Sequence, residues 1–278
     1  MILNKFYVDD IIKNAIKEDI NYIDVSACYT IPESQSGTAY FVAKADGILC
    51  GIDVAMRVFQ LLDDKFYCTI YKHDGDEIKK GDRIADFGGS MMMLLQGERV
   101  ALNLLQMMSG VATATNECVK AVAGTNCSIA ETRKTTPGLR ALQKYAVTCG
   151  GGKNHRYNLS DCVMLKDNHI DACGGITPAV ERVREKLGHT VKIEVETRDF
   201  DEVAEAVSAK ADIIMLDNMT TAEMKKCTEF IAGRAFTEAS GNITIDNIRA
   251  VAQCGIDIIS IGALTHSVKA MDISMKLK

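Results

Sequence analysis

The segment ETRKTTPGLRALQKYAVTCGGGKNHRYNLSDCVMLKDNH, residues 131–169, carries Arg133, Lys134, Arg140, Lys144, Lys153, Arg156 and Lys166 against Glu131, Asp161 and Asp167. Seven cations against three acids leave a surplus of four positive charges, in a chain whose net charge is -5. Guanidinium groups suit bidentate capture of carboxylate or phosphate, and lysines supply point charges. The chemistry indicated is the holding of a multiply charged anion. Arg133, Lys134, His155, Arg156 and Lys166 fall in expected loops, where their side chains can converge. Arg140 and Lys144, four apart on an expected helix, are read as solvent-facing. His155, between Asn154 and Arg156 and just after Gly150, Gly151 and Gly152, reads as a functional histidine; His73 and His189 receive no role. Further on, Glu196 and Asp217 are hard oxygen donors suited to Mg2+ or to stabilising developing positive charge. Ser240-Gly241-Asn242 and Gly262-Ala263-Leu264 put small residues where backbone N–H groups can approach a phosphate, with the first leading directly into a helix.

These groups need elements that bring them to one place. The runs CSIAE, CVMLK, VKIEVE, DIIMLD, AFTEAS and DIISIG are short and nearly continuously apolar, and helically spaced segments alternate with them. That rhythm indicates a parallel sheet covered by helices, and six units in this length fit an α/β barrel better than an open doubly wound sheet. Barrels present functional groups at the C-terminal ends of their strands, where Arg133, Lys134, Lys166, Glu196, Asp217, Ser240 and Gly262 are expected, with His155 and Arg156 in a loop that closes over them. No G-x-G-x-x-G follows a strand, so a dinucleotide site of that kind is not indicated.

The first part of the chain has a different texture. Val8, Ile11, Ile12, Ala15 and Ile16 follow helical spacing. GTAYFVAKADGILCG reads as strand and turn, DVAMRVFQLLD as helix, and FYCTIYKHDGDEIKKGDRIADFG as strands around turns. Leu94 to about Ala123 is mainly helical, with interruptions expected at Gly97 and Gly110. Residues 1–100 are thus expected to form an N-terminal α/β sandwich (α+β) domain and residues 101–278 the α/β barrel catalytic domain, with a C-terminal tail able to pack back on the N-terminal domain.

Composition narrows the function classes. An acidic chain without a basic stripe argues against nucleic acid as partner, and 47% hydrophobic with 25% charged residues is the balance of a folded protein rather than a disordered one. No stretch has the apolar length of a membrane span, and acids at Asp9 and Asp10 interrupt any signal-like core. Ten cysteines contain no C-x-x-C pair, so the spacings of a cysteine zinc site are absent. Reduced cysteines point to a cytoplasmic, intracellular protein.

GERVALNLLQMMSGVATAT, ETRKTTPGLRALQKYAV, GGGKNHRYNLSDCVMLKDNH, EVE, IIMLDN, EASGNI and IGALTHS occur in this order. Together they closely resemble the quinolinate phosphoribosyltransferase family across essentially the whole chain. TRKTTPGLR followed by KNHR and LKDNH is the specific part. The resemblance implies an incomplete α/β barrel of the type II phosphoribosyltransferase kind, joined to an N-terminal α/β sandwich. It implies transfer of phosphoribosyl from phosphoribosyl pyrophosphate to quinolinate with decarboxylation, giving nicotinate mononucleotide, pyrophosphate and carbon dioxide in NAD biosynthesis, with Mg2+ as cofactor. On the same basis Arg133, His155, Arg156 and Lys166 surround the quinolinate carboxylates, and Arg99 reaches the site of a neighbouring subunit in a homodimer or hexamer. Lys134, Glu196 and Asp217 stand around ribose, pyrophosphate and metal, while Ser240, Gly241, Gly262 and His266 contact the phosphate end. Lys134, Lys166, Glu196 and Asp217 form the catalytic set. Glu131 stands where family members often have Asp, and Met91–Met93 and Met107–Met108 form runs read as adaptable packing. The competing readings are a related phosphoribosyltransferase for nicotinate or another anionic acceptor, such as a molybdenum-transport-associated paralogue, and a non-catalytic phosphate-binding barrel.

Overall fold

The computed structural model describes residues 3–278. The chain packs as two units, one made of the chain up to Asn116 with Thr135–Gly151 and Leu264–Lys278, the other of Glu117–Lys134 and Gly152–Ala263. In chain order the elements are α1 (Lys5–Asp19), α2 (Val25–Thr30), β1 (Ser36–Ala43), β2 (Gly47–Ile48), α3 (Ile52–Leu62), β3 (Tyr67–Ile70), β4 (Glu77–Ile78), β5 (Arg83–Ser90) and α4 (Met91–Ala121). There follow β6 (Ser128–Ala130), α5 (Arg140–Cys149), β7 (Val163–Leu165), α6 (Asp167–Cys173), α7 (Ile176–Arg184), β8 (Ile193–Thr197), α8 (Phe200–Ser208), β9 (Ile213–Asp217) and α9 (Thr221–Ile231). The chain closes with β10 (Phe236–Ser240), α10 (Ile248–Ala252), β11 (Ile258–Ser260), α11 (Ala263–His266) and β12 (Ile273–Leu277).

In the first unit an antiparallel sheet of order β12-β1-β5-β3 supplies one layer. Alternation along β1 turns Ala39, Phe41 and Ala43 inward, and in register they stand opposite Leu277, Met275 and Ile273 of β12. Phe41, Phe59, Phe66 and Phe87 cluster with ring centroids 4.8–6.3 Å apart, in tilted and stacked pairs that favour a dense core. Helix α1 starts on Asn4, whose side chain accepts from Phe6 N–H, and buries Val8 and Ile12, as its periodicity indicates. Asp9 takes a bidentate grip from Arg57 at 2.7 and 2.8 Å, tying α1 to α3.

Two local readings need correction. Helix α4 runs unbroken through Gly97 and Gly110, because these glycines answer close approach rather than chain breaking: a Cβ on Gly97 would lie 2.8 Å from the Phe59 ring, and one on Gly110 2.3 Å from the Lys269 carbonyl oxygen. Lys144 is fully buried, not solvent-facing, and Arg140 is half-buried, its Nε donating to Thr135 Oγ1. Buried residues lie on every side of α5, from Ala141 to Lys144 and at Ala146 and Val147, so a charge pair at helical spacing marks no outer face there.

The second unit is built on six parallel strands in the order β6-β11-β10-β9-β8-β7. All six β-prone runs of the sequence are strands of this one sheet. Within the sheet β6 and β7 each pair on one side only, apart from an isolated bridge between Ala130 and Lys153, which is the incomplete α/β barrel. Among the described residues no helix is long and apolar enough to cross a membrane, and all ten cysteines are free thiols.

Candidate active site

At the C-terminal ends of the parallel strands lies a cavity of about 540 Å3. It is lined by Arg133, Lys134, His155, Arg156, Lys166, Glu196, Asp217, Ser240 and Gly241, among others. Nine of the residues singled out from sequence thus meet in one place. Gly262 follows β11 and is half-buried. Arg99, exposed on α4, and His266, exposed on α11, belong to the first unit.

The loop bearing the cations is pinned from below. Glu131, buried at the end of β6, accepts from Asn154 Nδ2 and from the His155 backbone N–H, each at 3.1 Å. Arg156 is braced by its own segment, its Nη1 donating to the Cys162 carbonyl at 2.9 Å and its Nη2 lying 3.5 Å from Met164 Sδ. Bracing of this kind reduces the rotamer entropy an arginine loses when it grips an anion.

Beneath them is a charged floor with two further members: Glu194, which the sequence places among the polar strand ends without a role, and Glu238, which it passes over. Glu194 and Glu238, both buried, face the Nε2 of His155 at 3.5 and 3.3 Å. Burial alone would lower the histidine's proton affinity, but the hydrogen bonds and charges of the two carboxylates outweigh it and push His155 up to about 10. Burial pushes Glu194 up as well, against the pull of His155. Nδ1 of His155 accepts from the Arg156 N–H at 2.7 Å, so Nε2 is the ring nitrogen turned to the two carboxylates. The signal that could have found these acids is a glutamate inside an otherwise apolar strand, VKIEVE and AFTEAS, where an unpaired charge would be too costly to bury.

At the rim, Lys166 forms an ion pair with Glu196. Asp217 accepts from Asn218 Nδ2 at 2.7 Å, and Asn218 Oδ1 in turn accepts from Asn242 Nδ2 at 3.0 Å. Gly241 adopts φ +87°, and a Cβ there would lie 2.2 Å from Asn218 Oδ1, so only glycine lets the turn close against Asn218. The expected helix directly after Ser240-Gly241-Asn242 is not there. Gly241 and Asn242 both take left-handed conformations, Asn247 Nδ2 ties back to the Asn242 carbonyl at 3.0 Å, and α10 begins only at Ile248. Any backbone donors offered here come from a turn rather than a helix N-terminus. Ser260 Oγ is buried among the lining groups without a hydrogen-bond partner among the described residues.

Four permanent cations and three carboxylates around one cavity suit an anion that reacts beside a developing positive charge. A family model described as quinolinate phosphoribosyl transferase, N-terminal domain, matches residues 24–109, and the corresponding C-terminal domain model matches residues 111–276. The chain belongs to the quinolinate phosphoribosyltransferase family. It is 43% identical over 273 residues to a probable nicotinate-nucleotide pyrophosphorylase (carboxylating) of Bacillus subtilis, covering 98% of this chain and 94% of that one. It is equally 43% identical over 286 residues to a chloroplastic nicotinate-nucleotide pyrophosphorylase (carboxylating) of Arabidopsis thaliana, covering 96% and 82%. The crystal structure of NadC from Streptococcus pyogenes superposes with a TM-score of 0.97 at 41% identity, covering 100% of this chain and 99% of that chain.

Proposed function

We infer that this chain is a decarboxylating quinolinate phosphoribosyltransferase of de novo NAD synthesis. The observation that carries the reading is the gathering of Arg133, Arg156 and Lys166 with Glu196 and Asp217 in one cavity, on a chain that the family models match almost end to end. Arg133, Arg156 and Lys166, above the His155 floor, hold the two quinolinate carboxylates. His155 acts here through its position, since both ring nitrogens are already engaged by protein groups. Lys134, Glu196 and Asp217 surround ribose and pyrophosphate, with Ser240, Gly241, Gly262 and His266 at the phosphate end.

The reaction begins as the bond from the anomeric carbon to pyrophosphate breaks and its electron pair leaves with the pyrophosphate. Glu196 and Asp217 stabilise the positive charge that grows on the ribose, and Lys134 meets the charge on the departing group. The pyridine nitrogen then bonds to the anomeric carbon. Its positive charge draws in the electrons of the adjacent carbon–carboxylate bond, carbon dioxide departs, and the ring carbon takes up a proton. Lys166 and the arginines keep that carboxylate oriented while it is lost.

The carboxylates of Glu196 and Asp217 are the hard oxygen donors that Mg2+ prefers, and both line the cavity. Bound there together with phosphate oxygens, Mg2+ would neutralise charge on the leaving group. Arg99 is exposed on α4, as a residue serving a second copy in a homodimer must be. A cytoplasmic location fits the ten free thiols.

The deciding experiment sets quinolinate beside nicotinate with phosphoribosyl pyrophosphate and Mg2+. Release of carbon dioxide and pyrophosphate from quinolinate, with nicotinate a poor substitute, is expected, because one carboxylate leaves part of the cation set unpaired. Equal turnover of nicotinate would overturn the assignment. For the shared site, mixing inactive Arg99→Ala and Lys166→Ala chains should restore about a quarter of the activity, since half the dimers are mixed and each has one intact site. Confirmed mixed dimers without activity would remove Arg99 from the neighbour's site.

A further inference from the structure

Within the first unit, three side chains from distant segments converge. We propose that Cys50, Asp74 and Cys149 form a binding site for a thiophilic divalent cation, Zn2+. The two sulfurs and a carboxylate oxygen all lie within 4.8 Å of one another. A tetrahedral zinc with bonds of about 2.3 Å to sulfur and about 2.1 Å to oxygen places its ligand atoms about 3.5–3.8 Å apart, so the cluster closes slightly on the ion. Two thiolates and one carboxylate form a borderline-soft set that selects zinc over magnesium or calcium, and water completes the fourth position.

The cluster is held in place before any cation arrives. Ser109 Oγ accepts from the Cys50 N–H at 3.0 Å and donates to the Cys50 carbonyl at 3.1 Å, fixing the backbone from which that thiol projects. Asp74 Oδ1 accepts from the Gly51 and Ile52 N–H groups at 2.8 and 2.9 Å. Its other oxygen accepts from the Tyr145 hydroxyl at 2.9 Å, the kind of outer hydrogen bond that orients a ligating carboxylate. Cys149 is the last residue of the ten-residue helix α5, so the negative end of that helix dipole lies beside the site and favours a cation.

Access and charge balance also agree. Of the three ligands only Asp74 reaches a cavity, one of about 490 Å3 that Tyr145 also lines and whose wall carries Asp9, Asp53 and Asp74 against Lys5 and Arg57, so a cation enters past the carboxylate to the two sulfurs behind it. Binding replaces the two thiol protons, which leave to solvent as the two sulfur–zinc bonds form, and no redox partner is required. The cation would staple the start of α3, the turn after β3 and the end of α5.

Co2+ serves as the optical probe in a titration of the reduced chain. One equivalent should produce sulfur-to-cobalt charge transfer with the visible bands of a tetrahedral ion, and Zn2+ should bleach both. Cys149→Ser and Asp74→Asn should each weaken uptake by more than about tenfold. Absence of the charge-transfer band overturns the proposal, as does its survival in the Cys50→Ser/Cys149→Ser double variant; ions held by carboxylates alone give no such band. Should the variants fail to fold, the unaltered protein still decides: Zn2+ should slow alkylation of Cys149 while leaving exposed Cys28 unchanged. Equal rates with and without Zn2+ at Cys149 count against the site.

Discussion

The floor and the rim of the cavity use the same kinds of charges to different ends. At the floor, His155, Glu194 and Glu238 are sealed from water, with side-chain exposures of 10%, 1% and 4%. At the rim Lys166 remains 45% exposed beside Glu196 at 14%. Charges out of water cannot relax, so each floor group depends on its partners. Charges half in water are nearly as well solvated alone as paired, so Lys166 can exchange its carboxylate partner for one on a ligand. The floor is built for shape, the rim for binding.

This contrast predicts its own tests. His155→Ala should cost about 3–5 kcal/mol of stability in urea unfolding, because it strands two buried carboxylates; a loss below about 1 kcal/mol would mean the floor does not depend on its charges. The same trio gives pH a direction. A histidine raised from 6.5 to about 10 contributes stability that is fully present below pH 6.5 and lost as pH climbs through about 10. Glu238→Gln should flatten that decline, and an unaltered slope would assign it to other groups.

Smaller effects belong to the rim. Arg133→Ala should weaken quinolinate binding by about 1.5–3 kcal/mol, the worth of a hydrogen bond to a charged partner, and calorimetry showing no change would take it out of the site. Lys166→Met should alter stability by less than about 1 kcal/mol while turnover falls sharply. Marked destabilisation in thermal melts would erase the distinction between floor and rim.

What could be read from the residues follows the regularity of each region. Strand-and-helix alternation repeats six times, so the ends of β6 to β11 are in phase, and Arg133, Lys166, Glu196, Asp217 and Ser240 could be placed together from spacing. Glu194 and Glu238 lie inside strands rather than after them, so reading polar strand ends names Glu194 beside Glu196 without its partner His155 and omits Glu238. Lys144 was misplaced because helical spacing reports a helix's own faces, not how many of them neighbours cover. The turn after β10 differed because Gly241 and Asn242 reverse the chain before a helix can start. The trio of Cys50, Asp74 and Cys149 shows the same limit more sharply. Motif spacing detects ligands on one turn or hairpin, whereas these come from a loop, a turn and a helix end that only the folded unit brings together.

The pairing of β12 with β1 has a consequence for synthesis. The outer edge of β1 has its backbone groups open until Ile273–Leu277 leave the ribosome, by which time all six strands of the parallel sheet have already emerged. The unit that begins first is therefore the one completed last. In the interval the edge of the longer strand β1 is a template for other chains, so a chain cut before residue 273 should aggregate more readily than one that carries β12, whose pairing replaces that edge by a shorter one.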